Sequence, residues 1–482
     1  MTFYQKFFVS FLAGLLLFGC AHLPEAPPEA RPAKQILFIA LDGVPYSVMK
    51  ELKEEGHFAA FQIPSKVIST FPSTTTAAFG GMFRPLGAKK PLGYDRKFFS
   101  NEEKEIQGFI LGGHDKRLSD HWRFFDYHRK TPFQKTLIYL VPGFSGRRDL
   151  EKTRKLIWSR PDRQNYLVYI GGTDGSGHVL GRRRLKRWLI FMDRTLEKLR
   201  RDYERRFGRR LEIVLFADHG FHFRKPRGVP KASLAYRLRK AGLNFSNNLK
   251  KDHRVVSIEW GNISGANFHL HKKHVPKVAE ILVGLEGIDL VTYREGPKII
   301  LLSSKKSREK AEIHFEERSG KFKYLPLEGD PLNYRPIAES LRRKGKVDRQ
   351  GFASAQDWLE ETRDHYYPDA LYRIRDAFFS LVENPASILV STKEDYEYGD
   401  FRTRVGSWFR GRLKGTHGGL FQESSAAFVM TTDRQIKLPP AMRYDQVMKY
   451  FNSSVSPTAP SPRRPRGGSS SLGGRSPLPS GG

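Results

Sequence analysis

The stretch Leu211–Gly220, LEIVLFADHG, is where the fold of this chain can be read. Leu211, Ile213, Val214, Leu215 and Phe216 form a short apolar run with β-branched members, the pattern of a buried strand. The run stops at Asp218-His219-Gly220. A carboxylate and an imidazole in succession at a strand end, followed by a residue that lets the backbone turn, offer two ligands to one metal ion. The same pair in a loop is also an ordinary local hydrogen bond, so the reading depends on whether other stretches end alike.

Three do. Gln35–Leu41, QILFIAL, is a second buried strand and ends on Asp42-Gly43, with helical spacing over Tyr46–Gly56. Strand followed by helix is the rhythm of a parallel α/β sheet, whose sites gather at the carboxyl ends of the strands. A strand ending in Asp-Gly is also a plain turn. Tyr166–Ile170 is a third strand, and the glycine-rich loop after it presents Asp174 and His178 four residues apart, an oxygen and a nitrogen donor for one ion. Late in the chain, Lys414–Gly419, KGTHGG, sets His417 between glycines, before a closing strand over Ala426–Thr431.

Val67–Phe79, VISTFPSTTTAAF, adds a hydroxyl. Pro72 and Ser73 break the extended run, and Thr75–Phe79 can start a helix. A hydroxyl in a first helical turn faces unpaired N–H groups and the positive end of the dipole, a setting that stabilises an alkoxide and the phosphoryl oxygens it would attack. Ser73 or Thr74 can instead be a simple N-cap.

Composition bounds the rest. The 482 residues suffice for two or three average domains, or one large α/β domain with an insertion. With 39% hydrophobic and 28% charged residues the composition is that of a globular protein. The excess of 83 Lys+Arg over 51 Asp+Glu, net +32, favours polyanions and anionic lipid head groups and steers negatively charged substrates. No helix-turn-helix, zinc-finger or RNA-binding motif accompanies the charge, so specific nucleic-acid binding is not expected.

The amino terminus carries Phe7–Phe18, an apolar run after Lys6 that is too short for a membrane span of about 20 residues and suits a signal-peptide core. It closes on Leu17-Phe18-Gly19-Cys20, which resembles a bacterial lipobox. Cys20 is the only cysteine, so neither an intramolecular disulfide nor a thiolate zinc site can form. The expected division is a lipoprotein signal peptide over 1–19, a Pro-rich tether over 20–34, a first part of the α/β core over 35–223, an inserted cap subdomain over 224–334, the rest of the core over 335–452, and a disordered Ser/Pro/Gly/Arg tail over 453–482. Lipidated at Cys20, the protein would sit in the bacterial cell envelope on the periplasmic side, anchored to the membrane. Arg182–Arg201 reads as a basic amphipathic helix with Leu185, Trp188, Leu189, Met192, Leu196 and Leu199 on its core face. His114, His121 and His128 recur at intervals of seven, as on one helix face, and read as surface or substrate-facing because no carboxylate keeps step with them.

Asp42 in LDG, a Thr in FPSTT, Asp174 and His178 in DGSGH, Asp218-His219 in ADHG and His417 in GTHGG occur in that order. Together they resemble the alkaline phosphatase superfamily, and within it the type I phosphodiesterase / nucleotide pyrophosphatase branch, over about Ile36–Thr431 apart from the inserted region. The resemblance implies an alkaline-phosphatase-like three-layer α/β sandwich with a mostly parallel central sheet. It implies two divalent metal ions, zinc being the species that oxygen and imidazole donors suit, with manganese or another divalent ion as the alternative. One ion would be held by Asp174, His178 and His417, the other by Asp42, Thr75, Asp218 and His219. Thr75 would be the nucleophile, with Thr74 and Thr70 as alternatives, since the closely matched phosphodiesterases carry TFPN where this chain has Thr70-Phe71-Pro72-Ser73. The family's stretch after the nucleophile is replaced by FRPLGAKKPLGY; Lys89, Lys90, Arg96 and Lys97 are candidates to hold the non-bridging phosphate oxygens. There is no CxPxR signature, so formylglycine chemistry is excluded. The implied activity is hydrolysis of a small phosphodiester or pyrophosphate through a phosphothreonine. The alternatives are a phosphomonoesterase or phosphonate/lipid-head hydrolase on the same fold, and a non-catalytic envelope-binding lipoprotein using its positive surface on anionic envelope polymers.

Overall fold

The computed structural model describes residues 34–108, 119–129, 142–259, 263–304, 308–399 and 413–451. Cys20 with its signal and tether, His114 and the 453–482 tail lie outside the described residues. No described helix is long and apolar enough to cross a membrane.

The apolar runs that read as strands build one sheet. It contains β1 (Lys34–Leu41), β2 (Ser65–Ile68), β3 (Asn165–Ile170), β4 (Arg210–Ala217), β5 (Ala426–Thr431) and β6 (Ala441–Arg443), in the order β6-β2-β5-β4-β1-β3. β1 runs parallel to both β3 and β4, and β6 parallel to β2; only β5 runs against its two neighbours. The architecture is therefore α/β with a mostly parallel central sheet, as expected. Both faces of β1 and β4 are buried from the second residue onward, which is why these strands read as continuous apolar runs rather than alternating ones.

Helices cover the sheet. α1 (Tyr46–Glu54) buries Val48, Met49 and Leu52. α2 (Thr75–Met82) is buried on all sides from Ala77 onward, and α3 (Pro142–Ser159) packs near α4 (Arg182–Phe207). α4 buries the expected stripe and extends it with Tyr203, so it runs six residues beyond the expected end; Gly208, at φ +63°, stops it in the left-handed cap.

A second sheet draws on both the 224–334 and the 335–452 segments. It is mostly antiparallel, with nine strands from Asn244 to Thr392. The strand Ile388–Thr392 lies in its middle, antiparallel to both Gly265–Leu270 and Ile288–Glu295. This strand falls within the 335–452 segment expected to complete the core; a short apolar run such as Ile388–Val390 fits either sheet by pattern alone. Leu290, Ile299, Leu301, Ile313 and Leu389 on one face of this sheet join the main core, whereas Val291, Ile300, Leu302, Ile388 and Val390 on the other pack with Val278, Ala279 and Leu282. The two sheets thus share one continuous core. Leu389→Ala, at a fully buried position, should lower unfolding stability by about 2–5 kcal/mol in urea titration.

Candidate metal centre

Register places the acidic residues. Leu41 pairs with Ala217 on one side and Ile170 on the other, so Asp42 and Asp218 leave the sheet at one level, and the Asp174 loop follows from the next strand. β2 leaves at the same edge and runs through Ser69 to Thr75 at the start of α2. With His417, from the loop ahead of β5, five chain segments deliver side chains to one end of the sheet.

They form two compact groups, Asp174 with His178 and His417, and Asp42 with Asp218 and His219, each with its donor atoms within 4.8 Å of one another. His178 Nε2 lies 3.2 Å and His417 Nε2 3.8 Å from Asp174 Oδ1. His219 Nε2 lies 3.5 Å from Asp42 Oδ1 and 3.4 Å from Asp218 Oδ2. The groups adjoin, because the His219 and His417 rings stack at 3.9 Å. Gly43 sits between them at φ +61°; a Cβ there would be strained and would lie 3.1 Å from both Asp174 Oδ1 and His219 Cε1, crowding both groups.

The donor set suits a divalent cation. Each imidazole turns Nδ1 to a backbone carbonyl: His178 to Gly415 O at 3.0 Å, His219 to Gly220 O at 2.8 Å and His417 to Ser73 O at 2.9 Å. The proton is thereby placed on Nδ1 and the Nε2 lone pair faces the cluster, the arrangement of metal-ligating histidines. Asp218 Oδ2 is buried without a hydrogen bond. Burial, joined by the Asp42 charge, pushes the Asp218 carboxyl up to about 7, with His219 opposing. Against the effect of its own burial, His219 is held up at about 10 by Asp218 and Asp42. Burial and the positive His219 beside it hold His417 well below the usual imidazole range. The carboxylates together demand positive charge at the centre.

Thr75 is the threonine that faces this centre. Its hydroxyl donates to Asp42 Oδ1 at 3.2 Å and lies 3.5 Å from His219 Nε2. The Thr70 hydroxyl donates to Pro72 O at 2.7 Å, and that of Thr74 to Tyr94 O at 2.5 Å. Thr74 occupies the N-cap of α2 but makes no capping bond, nor does Ser73, whose Oγ accepts from Gly418 N at 3.1 Å. The first-turn N–H groups of α2 are left without a side-chain cap.

Several participants were invisible in the sequence. Tyr169 donates its hydroxyl to Asp42 Oδ2 and so leaves Oδ1 for Thr75 and His219; it reads simply as a strand residue. Asp95 follows Tyr94 beside α2, and burial pushes its carboxyl up to about 6, with Arg96 opposing. Arg373, on α5 (Ala370–Phe379), lies buried beneath the loops of the site. Lys89 and Lys90 are exposed, as is Arg96, and Lys97 Nζ donates to Glu259 O at 3.3 Å.

His121 differs from the expected surface or substrate-facing position. His121 is fully buried, in contact with Ser119 Oγ and with the rings of Phe79 and Trp122. His121–Phe124 is one short 3₁₀ turn, so the interval of seven marks no helix face; aromatic packing captured an imidazole whose pattern gave no sign of it. His128 is half-buried against Trp122.

No family model matches the chain, and no curated protein matches it. Among solved structures it is similar to human ectonucleotide pyrophosphatase / phosphodiesterase 5 (11% identity, TM-score 0.47, covering 87% of this chain and 94% of that one). It is also similar to phosphonoacetate hydrolase from Sinorhizobium meliloti 1021 (12%, TM-score 0.45, 88% and 96%) and to the murine form of the first (10%, TM-score 0.44, 88% and 96%). Likeness at this level says nothing of what this chain acts on.

Burial holds His121 and buried His269, stacked on Phe99, at pKa values of about 3. A folded pKa below the unfolded value of about 6.5 gives stability that is complete above 6.5 and lost as pH falls towards 3, at up to about 1.4 kcal/mol per pH unit for each proton. Urea midpoints should therefore drop between pH 7 and pH 5, and His269→Leu should make that decline shallower.

Proposed function

We propose that this protein is a metal-dependent phosphoric ester hydrolase of the phosphodiesterase / nucleotide pyrophosphatase type, with Thr75 as nucleophile. The observation that carries the reading is the Thr75 hydroxyl at the junction of two acid–imidazole clusters and at the uncapped start of α2. Asp174, His178 and His417 would hold one divalent ion; Asp42, Asp218 and His219, with Thr75, would hold the other. When bound, such a pair supplies the positive charge that offsets that of the ester and of the departing oxygen. Zinc is the species the donors suit, and the ordered motifs in the sequence favour the same assignment.

This chain's own groups do the remaining work. Ionising Thr75 beside Asp42 and Asp218 is unfavourable unless cations offset the carboxylates, so the nucleophile and the ion pair belong together. The first-turn N–H groups of α2 are placed to donate to the non-bridging phosphoryl oxygens. Thr75 Oγ1 attacks phosphorus and the ester oxygen leaves as the alcohol, giving a phosphothreonine. Water then attacks the same phosphorus and returns the threonine hydroxyl. Tyr169 holds Asp42 in the orientation this needs. The envelope location rests on the amino-terminal sequence, with the lipid carried by Cys20.

Bis-p-nitrophenyl phosphate should be turned over faster than p-nitrophenyl phosphate, and chelator should abolish both. Thr75→Ala should lower kcat at least 10³-fold, an order-of-magnitude expectation for loss of a nucleophile, while elemental analysis still finds bound metal. Thr70→Ala should retain turnover; a dead Thr70→Ala beside an active Thr75→Ala would reject the assignment of the nucleophile. His417→Ala should lower metal stoichiometry and turnover together, as measured on the same preparation.

A further inference from the structure

Arg373 is the most deeply buried arginine or lysine among the described residues, at 1% exposure. It lies on α5, roughly three hundred residues from the nucleophile loop in sequence, and takes no part in the chemistry above. Its guanidinium donates five hydrogen bonds. Nε bonds Ser69 O at 2.8 Å and Nη2 bonds Thr70 O at 3.0 Å, both in the segment that runs from β2 to Thr75. Nη1 bonds Leu420 O at 2.8 Å and Nη2 bonds Ser425 Oγ at 2.6 Å, both in the loop that follows His417. The fifth bond, Nη1 to Pro368 O at 3.2 Å, ties the side chain to the start of its own helix.

The bonds pass onward to the ligands. Ser69 Oγ donates to Asp218 O at 2.6 Å, so the carbonyl partner of Nε belongs to the residue that anchors the Asp218-His219 turn. Ser425 Oγ in turn reaches Phe421 O at 2.8 Å, and Gly220 N reaches Ser424 O at 3.1 Å. One side chain thus touches, directly or through a single serine, the loops that carry Thr75, Asp218-His219 and His417. Those loops supply parts of both clusters. No other side-chain type presents five donors in a rigid planar fork, and a lysine would satisfy at most three of these acceptors. Burial pulls the group down to about 10, still well above neutrality, so the charge is kept.

We infer that Arg373 is a positioning residue for the two-cluster centre: it fixes the spacing between the Thr75 loop and the His417 loop, and so the separation of the two ligand sets. The inference rests on the proposed function, because the spacing matters only if the clusters act together. Its effect is transmitted through backbone carbonyls, and Arg373 itself does not touch substrate.

The test uses the full chain, Arg373→Lys, Arg373→Gln and Ser425→Ala, with Co²⁺ affinity measured by chelator competition and kcat and KM measured on metal-saturated protein. Arg373→Gln should lose at least tenfold in Co²⁺ affinity and tenfold in saturated kcat with KM changed less than threefold. Arg373→Lys should fall between it and the parent. Variants whose Co²⁺ affinity and saturated kcat stay within twofold of the parent, whatever the change in Tm, would overturn the inference and leave Arg373 a packing residue. If the Arg373 variants do not fold, Ser425→Ala decides: a loss of about threefold in Co²⁺ affinity supports the clamp, and parent-like affinity rejects it. A parent that binds Co²⁺ without hydrolysing diesters would reject the proposed function alone, with the affinities still deciding Arg373. A parent that binds no divalent ion would reject both.

Discussion

Three carboxylates, Asp42, Asp174 and Asp218, are buried within one end of the central sheet, and the rest of the structure answers to their mutual repulsion. Taking one such charge out of water is costly, and bringing several together compounds it. Imidazoles relieve part of the charge: His178 and His219 are both held above the ordinary imidazole range by these carboxylates. A site with this much negative charge and three Nε2 atoms directed inward is organised to receive cations, which would displace the protons the imidazoles hold.

The fold meets that requirement by converging rigid strand ends rather than long loops. β1 and β4 leave the sheet in register, so Asp42 and Asp218 need almost no intervening backbone to meet. The N–H of Gly43 then closes on Asp218 Oδ1 at 3.0 Å. The histidines are oriented from behind by carbonyls of Gly220, Gly415 and Ser73, so ring direction is set by backbone hydrogen bonding rather than by side-chain packing alone. Loss of any of these supports would leave the ligands present but misaimed.

The second sheet adds to this site indirectly. Ser264 N donates to His417 O at 2.6 Å and Ser264 Oγ bonds His222 Nε2 at 3.1 Å, which ties the start of the interior strand Gly265–Leu270 to the loop bearing His417. The continuous core between the sheets makes the support stiff: Leu290, Ile299 and Leu389 belong to the same apolar cluster as β1 and β4. A region that reads in sequence as a separate cap is thus mechanically part of the centre.

What the sequence by itself determined was local. The apolar runs that lead into Asp42, the Asp174 loop and Asp218-His219 declared themselves through pattern, because each alone has an ordinary reading but the same strand-to-acid ending recurs three times. The stripe of α4 did so through its 3.6-residue period. Tertiary structure alone decided which threonine faces the carboxylates, since Thr70, Thr74 and Thr75 are chemically alike and differ only in where their hydroxyls point. It also decided that His121 is core, that Ile388–Thr392 belongs to the second sheet, and that Tyr169 and Arg373 support the site. Each of these depends on contacts between residues tens to hundreds of positions apart, and side-chain direction at that range is set by packing and hydrogen bonding, which leave no local periodicity to read.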